Sequence, residues 1–334
     1  MRPLFYVVLF GLSIFINSCD DGLNQNIEQS KKELTEVSIK INDDFVLIRK
    51  EVKKLAEYTE YLYQNQNTYA GKEDRSKYKF SDNGIFYKTE NDGLSAVYVS
   101  GYVPIDDDVK NIVYFTAPLD QRFITMMDTL SEVAQVYYND KNSYNRIYPF
   151  IDVLTQYGPK MNIPDYNFYY LADLKHNPGK KAVWVNDPYV DPAGRGWMVS
   201  AIAPVYYKEE LVGVPGIDVT INTIISRYIS PSHNEILIVD KNGVLVAAEE
   251  TSVNRLYLPP LKDHKYVETI KSDKFRKDDY NLLKSKNNKV RELAKKIIID
   301  GLDNIEFESE GEAYHVITNE IQEMDWKIFK LIKK

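Results

Sequence analysis

The stretch at 184–200, WVNDPYVDPAGRGWMVS, holds two Pro-flanked turns, a Tyr-x-Asp pair and a Gly-Arg-Gly turn, and then runs into an apolar, strand-like segment. A plain turn needs only a few of these residues. Proline disfavours the helical region for the residue before it, so Asp187 and Asp191 are pushed towards extended geometry. In an extended segment Tyr189 and Asp191 project to the same side, braced by Pro188 and Pro192. Two uses fit such a pair. Either it faces a ligand, or Asp191 caps the amides of its own turn, as Asp often does.

Working downstream, 197–221 reads as a long hairpin turning at Lys208 and Glu209. Asp218 shares the parity of Val212 and Val214 and so lies on their face of the sheet. If that face is covered, the carboxylate must be paired or hydrogen-bonded. Alternatively, Asp218 or Thr220 caps the helix expected at 221–229. Upstream, 132–150 reads as strand, turn at 139–143 and strand. The segments 84–90, 95–103 and 111–118 are rich in β-branched and aromatic residues and read as strands. A helix is expected at 119–130, and the run Asp106, Asp107, Asp108 reads as a helix start. After the breaker SPS (230–232) the pattern restarts. EILIVDKNGVLVAA (235–248) is strand–turn–strand with Asn242 and Gly243 at the turn. A charged, helix-leaning stretch runs to Ile299, and IEFESE, EAYHVITN and WKIFKLI close the chain as strands. Two α+β units result, with a boundary near 230.

Before the first strand, Ile27, Leu34, Ile41, Ile48, Leu55 and Leu62 recur every seven residues. Val37, Phe45, Val52 and Tyr58 complete one apolar stripe on a helix at 23–63, about 60 Å long. Strands that follow directly need cover, so the helix reads as a spine for later sheets. The start of the chain, MRPLFYVVLFGLSIFINSC, offers Arg2 and an apolar run from Leu4 to Ile16. That run is too short to span a bilayer but suits a signal-peptide core. It ends in INSC, and Cys19 is the only cysteine, so no disulfide can form. The ending resembles a bacterial lipobox, in which the cysteine is lipidated and becomes the first residue of the mature chain. A generic signal peptide cut nearby and an uncleaved anchor are the alternatives.

Composition narrows the function classes. A net charge of −7 over 334 residues, without a basic stripe, argues against a nucleic-acid partner. His176, His233, His264 and His315 are scattered, with no metal-ligand spacing. The chain holds no nucleophile elbow, phosphate-binding loop or His-Glu-x-x-His. No twelve-residue calcium loop supports Asp187, Asp191 or the Asp106 run. Neither enzyme activity nor a cofactor or metal is expected.

Taken together, the long helix, VYYNDKNSYNRIYPF, the 177–221 segment, ILIVDKNGVLVA and DWKIFKLI resemble, in order and spacing, the double Cache (dCache) family of extracytoplasmic sensors. The resemblance implies two PAS-like antiparallel sheets on one long helix. It divides the chain into a lipoprotein signal peptide (1–18), the long helix (20–70), a membrane-distal subdomain that holds a small ligand (71–229) and a membrane-proximal one (230–334). PYVD and GID match positions that hold the ligand's amine in amino-acid-binding members, which implies ligand contact for Tyr189, Asp191 and Asp218. Those members also carry an Arg shortly before a Trp–Tyr pair, to grip the ligand carboxylate. In DYNFYYLA (165–172), Phe168 and Tyr169 stand where Trp–Tyr would be and Tyr166 replaces the Arg. The fork-shaped clamp is missing. What remains is a carboxylate pair walled by Tyr189, Tyr169 and Phe168, suited to an ammonium, although YNFYYL also reads as core packing. Most dCache modules lie between two transmembrane helices; here the chain stops at Lys334 and Cys19 stands in place of the first helix. The expectation is a lipid-anchored, extracytoplasmic, non-enzymatic sensor of an amine or amino-acid-like compound, signalling through a separate membrane protein. The alternative is a ligand-free structural or protein-interaction lipoprotein of the cell envelope.

Overall fold

The computed structural model describes residues 12–230, 235–259 and 277–334, with side chains from Gly22 onward except that of Lys277. Cys19 and the apolar run before it therefore lie outside the described side chains. Helix α1 spans Leu12–Gln64. Its seven-residue stripe is buried at Ile27, Leu34, Ile41, Ile48, Leu55 and Leu62, and Phe45 and Val52 join it. No described helix is long and apolar enough to cross a membrane.

The described residues form two compact units, one from 43–227 and the other from 12–42, 228–230, 235–259 and 277–334. The first contains β1 (Tyr78–Phe80), β2 (Phe86–Lys88), β3 (Ala96–Val99), α2 (Asp107–Phe115), α3 (Leu119–Thr129), β4 (Gln135–Asp140) and β5 (Tyr144–Tyr148). It continues with β6 (Val183–Val190), β7 (Trp197–Ile202), β8 (Val205–Tyr207) and β9 (Glu210–Thr220). The strands form an antiparallel sheet in the order β1-β2-β3-β5-β4-β9-β7-β6, with β8 also on β9. Lys208 and Glu209 both take positive φ at the tight turn between β8 and β9, where the sequence puts it.

One expectation fails here. The segment 111–118 is not a strand, because α2 runs through most of it. The Asp106 carboxylate accepts from the Val109 amide at 2.9 Å, and Asp107 and Asp108 occupy the first turn. That cap and the charge–dipole match outweigh the β-branched composition. Val109 and Val113, four apart, then share the buried face.

Alternation along β4 separates the two faces of this sheet. Val136, Tyr138 and Asp140 face the helices, where the Tyr63 hydroxyl of α1 donates to Asp140 Oδ2 at 2.6 Å. Arg146 of β5, fully buried, pairs with Asp120 of α3 at 2.8 Å on the same side. Gln135, Tyr137 and Asn139 face the other way, under residues 149–172, among a core that includes Tyr98, Ile147, Ile163, Phe168 and Ile202.

The second unit carries a five-stranded antiparallel sheet, β11-β10-β14-β13-β12. Its strands are β10 (Ile236–Val239), β11 (Leu245–Ala248), β12 (Asn304–Ser309), β13 (Glu312–Ile321) and β14 (Trp326–Lys333). Helices α4 (Glu250–Arg255) and α5 (Asn288–Ile298) belong to its core through Val253, Val290, Leu293 and Ile297. The α1 segment of this unit meets the sheet where Lys330 pairs with Glu33 at 3.0 Å. The architecture is α+β, a long N-terminal helix with two antiparallel sheets.

Candidate functional site

Three cross-strand rows build the site on one face of the larger sheet. On β9, Asp218 is registered against Gln135 of β4 on one side and Ser200 of β7 on the other. One step along, Gly216 lies between Tyr137 and Ile202, with Ile147 beyond Tyr137. A further step brings Val214 beside Asn139, and Asn139 beside Asn145 of β5. Gly216 is required there, because an added Cβ would fall 2.1 Å from the Tyr137 ring.

Asp191 reaches the first row from the turn after β6. The strand pairing of β6 with β7 breaks register between Val185 and Tyr189, across Pro188, which has no N–H to give. Gly194 and Gly196, both at positive φ, close the turn, and the Asp191 amide donates to the Gly196 carbonyl at 3.0 Å. The Asp191 carboxylate accepts from the Ala193 amide at 2.8 Å and the Arg195 amide at 3.1 Å. It therefore does cap its own turn, as one of the two sequence readings has it. It is also the wall of a cavity.

The two carboxylates meet through one amide. Gln135 Nε2 donates to Asp218 Oδ2 at 2.6 Å and to Asp191 Oδ2 at 3.3 Å. Ser200 Oγ donates to Asp218 Oδ1 at 2.5 Å and shares a 2.6 Å hydrogen bond with the Tyr189 hydroxyl. Asp218 is 1% exposed and Asp191 3%; the Arg195 charge acts on both and favours their ionised forms, but the guanidinium is not bonded to either. The Arg195 guanidinium instead donates to the Pro149 carbonyl at 3.2 Å. Burial, reinforced by the neighbouring Asp191 charge, pushes the Asp218 carboxyl up to about 8. Burial also raises Asp191, against the lowering effect of its two backbone amides. Helix capping falls to Thr220, whose side chain accepts from the Thr223 amide at 3.1 Å; Asp218 takes no part in it.

These groups line a narrow cavity with about 20 Å³ open to the centre of a water molecule. One water needs about 10–15 Å³ on that measure, so a larger guest must widen the cavity. Its walls include Tyr137, Asn139, Asn145, Ile147, Tyr157, Met161, Phe168, Tyr189 and Pro192 as well as Gln135 and the two aspartates. Gln135 Oε1 is buried without a hydrogen-bond partner, and the Tyr137 hydroxyl sits near those of Ser200 and Tyr189 without a well-formed bond to either.

Of the residues proposed from sequence, Tyr189, Asp191, Asp218 and Phe168 are brought together at this cavity. Tyr169 and Tyr166 are not among its walls. Tyr169 is buried in the adjoining core, and Tyr166 stacks on the Phe168 ring at 5.1 Å, second in line. Gln135, Tyr137, Asn139, Asn145, Tyr157 and Met161 went unnoticed in the sequence. The detectable signal was a polar residue at every other position of a buried strand, QVYYND. Among the described residues no group of His, Cys, Asp and Glu could hold a metal ion.

No family model matches the chain, and no curated protein does. Among solved structures it is similar to the extracellular domain of soHK1S-Z6, a protein assigned as a histidine kinase. The TM-score is 0.53 at 10% identity, with 93% of this chain and 94% of that one covered. It is also similar to the ligand-binding domain of the Pseudomonas aeruginosa PAO1 amino acid chemoreceptor PctB in complex with L-Arg, at TM-score 0.48 and 12% identity, covering 94% of this chain and 96% of that one. The conclusion about fold rests on the first. The chain has the two-sheet, long-helix α+β fold of that extracellular domain, the architecture expected from its sequence.

Proposed function

We propose that the protein is an extracytoplasmic, non-enzymatic sensor module that captures a cationic amine or amino-acid-like compound between Asp191 and Asp218. The observation that supports it most is two buried carboxylates, joined by Gln135, on an aromatic-walled cavity with no cationic side chain bonded to either. Burying like charges together is unfavourable unless a proton or a cation joins them. An ammonium group satisfies both acids, and the rings of Tyr189 and Phe168 suit its charge. Lipid anchoring through Cys19, and signalling through a separate membrane protein, complete the proposal on the strength of the lipobox-like INSC ending.

A thermal-shift screen of amines, amino acids and carboxylates tests it. A ligand that binds only the folded state stabilises by about 2.7 kcal/mol at a hundred times its Kd. Amines should raise the melting temperature and dicarboxylates should not. The narrowness of the cavity favours one rival, a structural module whose pocket is filled by its own side chains. A flat response across the whole library would support that rival.

A further inference from the structure

We propose that Asn139, Asn145 and Tyr157 form a second subsite of the same cavity, which takes the neutral, hydrogen-bond-accepting tail of an elongated primary amine. This inference rests on the amine reading above and adds the other end of the ligand.

The residues lie on the third row of the sheet face. Asn139 is four residues along β4 from Gln135, about 13 Å at 3.3 Å per residue. Both line the cavity, with Tyr137 between them on β4, Ile147 beside it and the Phe168 ring 6.1 Å from that of Tyr137. The cavity thus has an acidic end, an apolar and aromatic middle, and an amide end.

The amide end has unused hydrogen-bonding capacity. Asn145 Nδ2 donates to Asn139 Oδ1 at 2.8 Å, and the Tyr157 hydroxyl makes a long 3.4 Å contact to Asn145 Oδ1. Asn139 Nδ2 donates to no described residue, although Asn139 is 2% exposed. Turning the two amides over does not change the count, because one mutual bond consumes one donor and one acceptor and leaves the rest free. Asn139 lies at the cavity wall, and its spare amide donor is available to a guest. A ligand carbonyl facing Asn139 would accept from it.

The two ends are also complementary in kind. The acid end presents acceptors, namely both carboxylates and the unpartnered Gln135 Oε1. An ammonium donor belongs there. The α-carboxylate of an amino acid would sit beside its own amine, against two buried acids, with no Arg or Lys among the lining residues. The neutral donors at the far end hold a carbonyl without a counter-charge. The expected ligand class is therefore an amine whose polar tail is remote and uncharged, such as an ω-amino amide.

Calorimetric titration of the full chain decides it, using γ-aminobutyramide, δ-aminovaleramide, butylamine and L-alanine. At least one amide should bind about tenfold more tightly than butylamine, as one well-placed hydrogen-bonded group can provide. With amide and butylamine titrated side by side in each variant, that advantage should fall to within about twofold in Asn139→Leu and shrink in the milder Tyr157→Phe. Equal binding of amide and alkylamine by the unaltered protein, or an advantage that survives both substitutions, overturns the subsite and leaves the acid pair standing. L-Alanine binding most tightly also overturns it. Failure of every amine, L-alanine included, removes the amine reading itself.

Discussion

Replacing Asp218 by Asn should stabilise the protein above neutral pH while removing part of its hold on a cation. The Asp218 carboxyl is pushed from 3.8 up to about 8 by burial and by the Asp191 charge. Below about pH 4 it is protonated whether the chain is folded or not, and its contribution to stability is then complete. As pH rises, the unfolded chain loses this proton first, so the folded state binds more protons and stability falls. The slope from this group is about 1.4 kcal/mol per pH unit, ending near pH 8 where the folded site also ionises. Summed over the window the loss is at most on the order of 5 kcal/mol. The amide that replaces the carboxyl in Asp218→Asn has no proton to lose. The Gln135 side chain can turn to offer that amide its unpartnered Oε1, which keeps the row bonded. Melting temperatures of parent and variant, measured by scanning calorimetry, should nearly coincide at about pH 4 and diverge by on the order of 10 °C at about pH 8. Parallel curves across that range would mean instead that Asp218 ionises in the fold as it does in water.

Further outcomes follow from other parts of the fold. Gly216→Ala puts a Cβ 2.1 Å from the Tyr137 ring; it should cost about 1–3 kcal/mol in a urea melt and weaken ligand binding along with it. Asp120→Ala strands the buried Arg146 guanidinium on the opposite face of the sheet. A loss of about 3–5 kcal/mol with unchanged ligand affinity is expected, separating fold from site. Cys19→Ala should abolish labelling by a radioactive fatty acid and release the protein from the membrane fraction; unchanged fractionation would remove the lipid anchor from the account.

Much of the fold was legible in the sequence because its signals were local. The seven-residue stripe of α1, the Asn242–Gly243 turn and the Lys208–Glu209 turn each depend on residues within one element. The segment 111–118 misled because its β-branched and aromatic residues outnumbered the single capping aspartate that decides its conformation. At the site, Asp191 and Asp218 stood out as acids in apolar or braced surroundings. Gln135, Asn139 and Asn145 did not, since neutral amides carry no signature until the register of β4 against β5 and β9 places them in rows. The choice between Phe168 and Tyr169 was equally hidden: neighbours on one helical turn point in different directions, and only the packed chain shows that Phe168 faces the cavity while Tyr169 enters the core.

The acid pair of Asp191 and Asp218 should hold a cation. Isothermal titration of the amine that stabilises the protein most should be compared between the parent and a folded Asp191→Asn variant. Removing one member of a desolvated, hydrogen-bonded charge pair costs about 2–5 kcal/mol, so affinity should fall roughly 30-fold or more at about 1.4 kcal/mol per decade. An unchanged affinity in that variant, or a dicarboxylate as the best ligand of the parent, would contradict the claim.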